Sequence, residues 1–396
     1  MDYNDKKIFR KGLLTGLIIA LFISALLITG IFVFVYRSSA VLTPRVKAKV
    51  SYLTNYIQEK YYEDVDINKL QEGLYKGLVE GLGDEYSTYL SAEEADSFKS
   101  YVTGELCGLG AVLTKEDSGD VIVLKVYEGS AADEIGLRGG DIIVAADDKM
   151  ASDMELSDFT SYTKGGENTS FNLTYRRGDD TRQTKVTRKK IKVPSVSHKM
   201  LDGNIGYIEI LEFSKNTYSE YMDAINDLKA NGVKGVVFDL RFNGGGLVES
   251  SAQILDEILP KAKIVSLQIK NQPDVTYDSD DEKKLDMPIA VLVSNRTASA
   301  AEIFAAAIKD NNYGTLIGYK TYGKGVVQAS SVLEDGSVIS ITSGKYFTPS
   351  GECINEKGIE PDIKLDFEYK GDSNSSYDEM MDNQVLKAIE VINSKL

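Results

Sequence analysis

The chain has no tryptophan, one histidine, two cysteines and seven prolines in 396 residues. Two cysteines, Cys107 and Cys353, do not make a disulfide framework, and neither sits in a metal-ligand spacing. One histidine and no CxxC exclude an ordinary zinc site, so no metal or cofactor is called for. The lone His198 also removes the usual partner of a serine or cysteine nucleophile. Positive charge is in deficit: 45 Lys and Arg face 60 Asp and Glu, a net charge of −15. Nucleic acid is therefore excluded as a partner, because phosphate binding needs clustered Lys and Arg. What remains is a globular composition, 42% hydrophobic and 27% charged, long enough for two or three domains.

Long hydrophobic runs are absent except at the start. Residues 12–36 carry no charge and follow Lys6, Lys7, Arg10 and Lys11. Such a run can cross a hydrocarbon core of about 30 Å and is longer than a usual signal-peptide centre. The expectation is a cytoplasmic segment 1–11 and a single-pass anchor 12–36 in the cell membrane, with the remainder extracytoplasmic. The alternative is a signal peptide cleaved near "RSSA".

Helical spacing then runs through Val46, Val50, Leu53, Ile57 and Tyr61, and through Ile67, Leu70, Leu74 and Leu78. With "GLGDEYSTYLSAEEADSFK", a turn and another short helix, this gives a helical segment over 43–103, a spacer or the arm of a homodimer. From 104 to 192 the pattern changes to short alternating strands, "GAVLT", "DVIVLKVY", "DIIVAADD" and "SFNLTYRRG", parted by Gly and Asp turns. From 193 to 368 strands alternate with helices, among them "IGYIEI", "KGVVFDL", "KIVSLQI", "PIAVLVSN" and "TLIGYK". Continuous apolar strands of this kind imply a mostly parallel, buried sheet with its ligands at the carboxyl ends of the strands. Residues 369–396 read as a polar linker and a last short helix.

Two loops fall on that rim. In "NRTASAAEIFAAA" Ser299 opens an Ala-rich helix directly after a strand, where a nucleophile or a simple cap can stand. In "DLRFNGGG" three glycines can aim a bare N–H at a developing oxyanion, with the amide after Ser299, that of Ala300, as a second donor. The base can be Lys324 in "YGKGVVQ", with Gln328 of the same parity along an extended segment. A free lysine titrates near 10.4, so burial must destabilise its ammonium by roughly 4 kcal/mol to make it a base near neutral pH. Asp239 and Arg241, at a strand end, organise the loop.

In the first β-rich part, "GSAADEIGLRGGDIIVAADD" resembles the PDZ domains of bacterial exported proteases. The resemblance implies that Gly108, Leu109, Gly110 and Ala111 form a carboxylate-binding loop, where glycines let successive N–H groups turn toward one anion. "GLGDEYSTYL", the PDZ-like segment, "DLRFNGGG", "TASAAEIFAAA", "GYKTYGKGVVQ" and "YFTPSGECINEKGIEPDI" together resemble the carboxyl-terminal processing proteases over almost the whole of 46–365. The fold class implied is an α/β protease core of crotonase-like type with a small β-rich PDZ domain, a helical N-terminal segment and one transmembrane helix. By resemblance Ser299 is the nucleophile, Lys324 the general base and Gln328 its positioner, with Gly245 and Ala300 as oxyanion donors. The implied partners are protein or peptide substrates with accessible C-terminal tails. The sequence departs from the family pattern at Ala131, Phe242, Gly244, Ala301 and Tyr322, none of which removes a functional atom. Two rivals stand beside it: an inert, tethered PDZ adaptor, and a penicillin-binding type of acyl enzyme through "SYTK", Ser161 to Lys164.

Overall fold

A computed structural model describes residues 41–116, 118–280, 284–371 and 377–396, together with Ser24. The chain divides into two compact units, residues 1–74 and 75–396. In the first, the helix Pro44–Lys60 starts at Thr43, whose hydroxyl accepts the Val46 N–H while Pro44 supplies a preset φ.

The expected anchor requires correction. Residues 12–36 lie, apart from Ser24, outside the described residues. Among the described residues no helix is long and apolar enough to cross a membrane. The helix Pro44–Lys60, which follows that run in sequence, has 17 residues with lysines and an arginine on a largely exposed surface. Neither the transmembrane element of the expected fold class nor the single-pass cell-membrane placement is carried further.

In the second unit, six strands form a sheet in the order Val196–Leu201, Ile205–Ile210, Gly235–Asp239, Ile289–Val293, Thr315–Gly318 and Ile363–Lys364. The first pair is antiparallel and all later neighbours are parallel. Alternation of side chains explains why the central strands are apolar throughout. Val236, Phe238, Val291 and Val293 pack with the helices Thr217–Ala230, Val248–Ile258 and Ala300–Asp310. Val237, Ala290 and Leu292 pack on the other face with Val385, Ala388 and Ile392 of the helix Asn383–Asn393. The C-terminal helix is thus one of the layers of the core. Of the linker before it, residues 372–376 are not described.

"KIVSLQI" does not join that sheet. Ala262–Ile269 belongs to a separate antiparallel sheet with Val275–Ser279 and the ten-residue strand Val338–Phe347, which also pairs Val326–Val332 and Thr88–Leu90. The stretch read as a turn before a helix therefore contains a strand, Thr88–Leu90, sewn to the protease core.

The PDZ-like part has its own sheet, in the order Ala111–Lys115, Val121–Val126, Ile142–Ala146, Ser170–Arg177 and Asp180–Thr187. Its core is a separate cluster around Leu109, Val123, Phe159, Phe171 and Leu173. The acidic end of "GLRGGD" is fixed by Arg177, which donates to both oxygens of Asp141 at 2.7 Å while the Arg138 N–H donates at 2.8 Å.

Candidate active site

The strand Ile289–Val293 ends in a turn held by side chains. Thr297 Oγ1 accepts the Ser294 N–H at 2.9 Å and donates to the carbonyl of Leu240 at 2.8 Å, and the Ala298 N–H donates to the carbonyl of Asn243 at 3.1 Å. These bonds lock the Ser299 turn to the glycine loop after Asp239. At Ser299 the backbone adopts φ 54° and ψ −120° before turning into the helix Ala300–Asp310. A non-glycine residue in that region is strained by about 1–3 kcal/mol and persists only where its surroundings over-determine it. The result is a sharp elbow, with the Ala300 amide among the first-turn donors that lack an intrahelical acceptor.

Gly245 lies against this elbow. A Cβ there would sit 2.7 Å from Ser299 Cβ and 3.1 Å from the Ala300 nitrogen, and its φ is 108°. The close approach needs glycine on both counts. Its N–H is engaged, however: it donates to Asn243 Oδ1 at 2.8 Å, while Asn243 Nδ2 donates to the carbonyl of Ile210. Of the two expected oxyanion donors, Gly245 must let go of Asn243 before it can serve.

Sequence reasoning passed over Glu302, which is fully buried one turn into the helix. One carboxylate oxygen accepts both the Ser299 and the Lys324 N–H at 2.9 Å. The other accepts the Gly323 N–H at 2.8 Å and the Thr321 hydroxyl at 2.5 Å. Burial pushes its pKa up, and the four donors pull against that. The signal was legible, since S-x-x-E at a helix start is the capping-box pattern. Tyr346, also fully buried, closes the same junction: its hydroxyl donates to the Lys324 carbonyl and lies 3.3 Å from that of Ser299.

Lys324 is half-buried. Burial holds its amine below the ordinary lysine range, against the opposing pull of Asp84 and Glu85. Its nitrogen lies 4.7 Å from the centroid of the Tyr86 ring. Gln328, on the strand Val326–Val332, donates instead to Thr342 Oγ1 at 3.2 Å. His198 is on the edge strand three places from Ile289–Val293, roughly 14 Å across the sheet, and its Nε2 faces Asp227 at 3.1 Å. It is no candidate for the base.

Behind the glycine loop, Arg241 is buried between Asp239 and Asp382, donating to each at 2.6 Å, and also to Gln384 at 3.0 Å. Asp239 in turn accepts the hydroxyl of Tyr207 at 2.6 Å. The loop-organising role read for Asp239 and Arg241 thus extends to the C-terminal segment.

In the PDZ-like part, Gly108 ends the strand Glu105–Gly108 and Ala111 opens the edge strand Ala111–Lys115. The carbonyls of Leu109 and Gly110 accept the N–H groups of Ala132 and Tyr127 at 2.7 and 3.1 Å. A Cβ at Gly108 would lie 3.0 Å from the Thr163 carbonyl, so the loop passes the end of the helix Leu156–Thr163. An open strand edge beside a helix end suits an extended peptide. Ser161 and Lys164 line a cleft of about 980 Å³ in this same part with Cys107 and Arg188, and do not meet the Ser299 elbow.

Comparison with known proteins agrees with the geometry. Residues 204–365 match the model of peptidase family S41, residues 122–177 that of a PDZ domain, and residues 37–94 that of the activating protease CtpB N-terminal domain. The carboxy-terminal processing protease CtpA of Bacillus subtilis (strain 168) is 36% identical over 312 residues, 78% of this chain and 67% of that one. The "CtpA-like serine protease" of Staphylococcus aureus (strain MSSA476) is 34% identical over 359 residues, 88% of this chain and 72% of the other. A solved Bacteroides fragilis NCTC 9343 chain assigned to the S41 proteases shares the fold, with a TM-score of 0.53 at 17% identity, over 85% of this chain and 92% of that one. The chain belongs to the PDZ-containing carboxyl-terminal processing proteases of peptidase family S41. It is a serine-type C-terminal processing peptidase.

Proposed function

We propose that this peptidase works through a Ser299–Lys324 dyad and a covalent acyl-enzyme, on proteins whose C-terminal tails are taken up by the PDZ part, residues 104–192. Neutral Lys324 accepts the Ser299 hydroxyl proton as Oγ bonds to the scissile carbonyl carbon. The oxyanion takes the Ala300 N–H and, once Asn243 releases it, that of Gly245. The Lys324 ammonium returns its proton to the departing amine. Lys324 then deprotonates a water that attacks the ester and frees Ser299. Gln328 would orient the amine after leaving Thr342.

One observation carries the proposal: a single oxygen of Glu302 accepts the backbone N–H of both Ser299 and Lys324 at 2.9 Å. The two nitrogens therefore stand no farther apart than twice that distance, within reach of a lysine side chain. The depressed Lys324 amine supports the same chemistry. For the tail, support comes from the open edge of Ala111–Lys115 beside the 108–111 loop.

The test is hydrolysis of a protein bearing an apolar C-terminal tail, compared with the same protein carrying a charged tail. Ser299→Ala should lose hydrolysis by a factor of about 10³ or more. Deleting residues 104–192 should erase the preference between tails. Retained cleavage by Ser299→Ala, or unchanged tail discrimination after the deletion, contradicts the respective half.

A further inference from the structure

The segment 84–87 has no part in the dyad, yet it covers the base. It precedes the strand Thr88–Leu90, which pairs with Val338–Ser340 of the protease core. It is fastened a second time where the Thr342 N–H donates to Ser87 Oγ at 3.0 Å. Thr342 is also the residue whose hydroxyl engages Gln328, so one position of the core holds both the segment and the expected positioner. Just before these ties Tyr86 lays its ring on Lys324, 4.7 Å from nitrogen to centroid.

The contact is a ring face against an amine, not an ion pair. The Tyr86 hydroxyl is held well above the ordinary phenol range chiefly by burial, with Glu85 and Tyr322 acting in the same direction, so the ring stays neutral. An aromatic face attracts an ammonium and has little for a neutral amine. Every charged or titratable neighbour bears on the balance. From the segment, Asp84 and Glu85 favour the ammonium. From the helix Ala300–Asp310, Glu302 holds the Lys324 backbone; from Val338–Phe347, Tyr346 does the same, with Cys353 beside it. Tyr322 flanks the base on its own loop. Against these stands burial, which favours the neutral amine.

We propose that Tyr86 is the positioning residue of the general base: its ring face fixes the Lys324 amine and, by favouring the charged form, makes the segment 84–87 a brake on proton abstraction. The proposal rests on Lys324 being the base. Removing the ring face should make the base neutral at lower pH and leave it less well aimed. Keeping the ring while deleting the hydroxyl should do neither.

The experiment uses the full chain with Tyr86→Leu, Tyr86→Phe and Tyr86→Trp. Competitive acylation of Lys324 by acetic anhydride is followed against pH by mass spectrometry, and kcat/KM is measured over the same range. The acylation midpoint should fall by about half to one pH unit in Tyr86→Leu, stay in Tyr86→Phe, and rise in Tyr86→Trp, whose indole is the stronger face. The acid limb of kcat/KM should follow in the same order, with kcat reduced in Tyr86→Leu and restored in Tyr86→Phe. Should Tyr86→Leu fail to fold, the Phe and Trp midpoints decide. Midpoints indifferent to the ring overturn the role of Tyr86. Midpoints that follow the ring while kcat/KM does not overturn Lys324 as the base, and the brake with it.

Discussion

Replacing Glu302 with glutamine tests whether one buried carboxylate holds the site together. Two donors converge on each of its oxygens, the Ser299 and Lys324 amides on one and the Gly323 amide and Thr321 hydroxyl on the other. Glutamine has the same shape but offers one oxygen and an NH2 group, so two of the four donors lose their acceptor. The less costly orientation turns the NH2 toward Thr321, whose hydroxyl can rotate, and leaves the Gly323 N–H orphaned. A buried donor without a partner costs about 1–3 kcal/mol. Glu302→Gln should therefore lose about 2 kcal/mol in urea-induced unfolding with an unchanged m-value. Glu302→Ala, which strands all four donors, should lose about 4 kcal/mol or more. Activity should fall as well, because the Gly323 amide beside Lys324 loses its anchor and the loop that carries the amine is held by one bond fewer. A 100-fold drop in kcat with the protein still folded is the expected outcome for Glu302→Gln. Wild-type kcat and stability in that variant would refute the stapling role.

Further outcomes follow from the same geometry. Gly245→Ala should abolish turnover while the protein still folds, because the added methyl meets Ser299 Cβ at 2.7 Å; near wild-type kcat would contradict the close approach. Asp382→Ala leaves the buried Arg241 short of one of its two carboxylates and should cost about 3–5 kcal/mol in thermal or urea unfolding, though Asp382 is 83 residues beyond Ser299 by position. Lys324→Met should raise stability at neutral pH. The folded state depresses the amine's pKa, so the charged form is disfavoured below it, and the penalty fades as pH rises toward the free-lysine value. The gain in Tm should therefore shrink between neutral pH and about 10.

What the sequence disclosed was local. The central strands were legible because burial on both faces demands unbroken apolar runs, as in "PIAVLV". Ser299 and the glycine loop were legible because an elbow needs small residues and a close approach needs none. The helix Asn383–Asn393 was legible as a helix but not as a layer of the core, since its partners Leu201, Val237 and Ile317 are far off in sequence. The same distance hid Asp382 and Gln384 behind Arg241, and Tyr346 behind Ser299. "KIVSLQI" was misassigned because the apolar pattern of a strand does not say which sheet it joins; its partner, Val338–Phe347, comes some seventy residues later. The hydrophobic run at 12–36 met a length criterion but lies, apart from Ser24, outside the described residues; among those no helix is long and apolar enough to cross a membrane, and the anchor is carried no further.

The central claim is that an uncharged lysine activates Ser299. A serine-directed sulfonyl fluoride, applied to the wild type and to Lys324→Met across pH, with the labelled residue located by mass spectrometry, tests it most directly. Label on Ser299 alone, with a rate that rises through a midpoint below that of free lysine and is lost in Lys324→Met, is the predicted result. Label on Ser299 at an equal rate in both proteins, or on Ser161 instead, would contradict it.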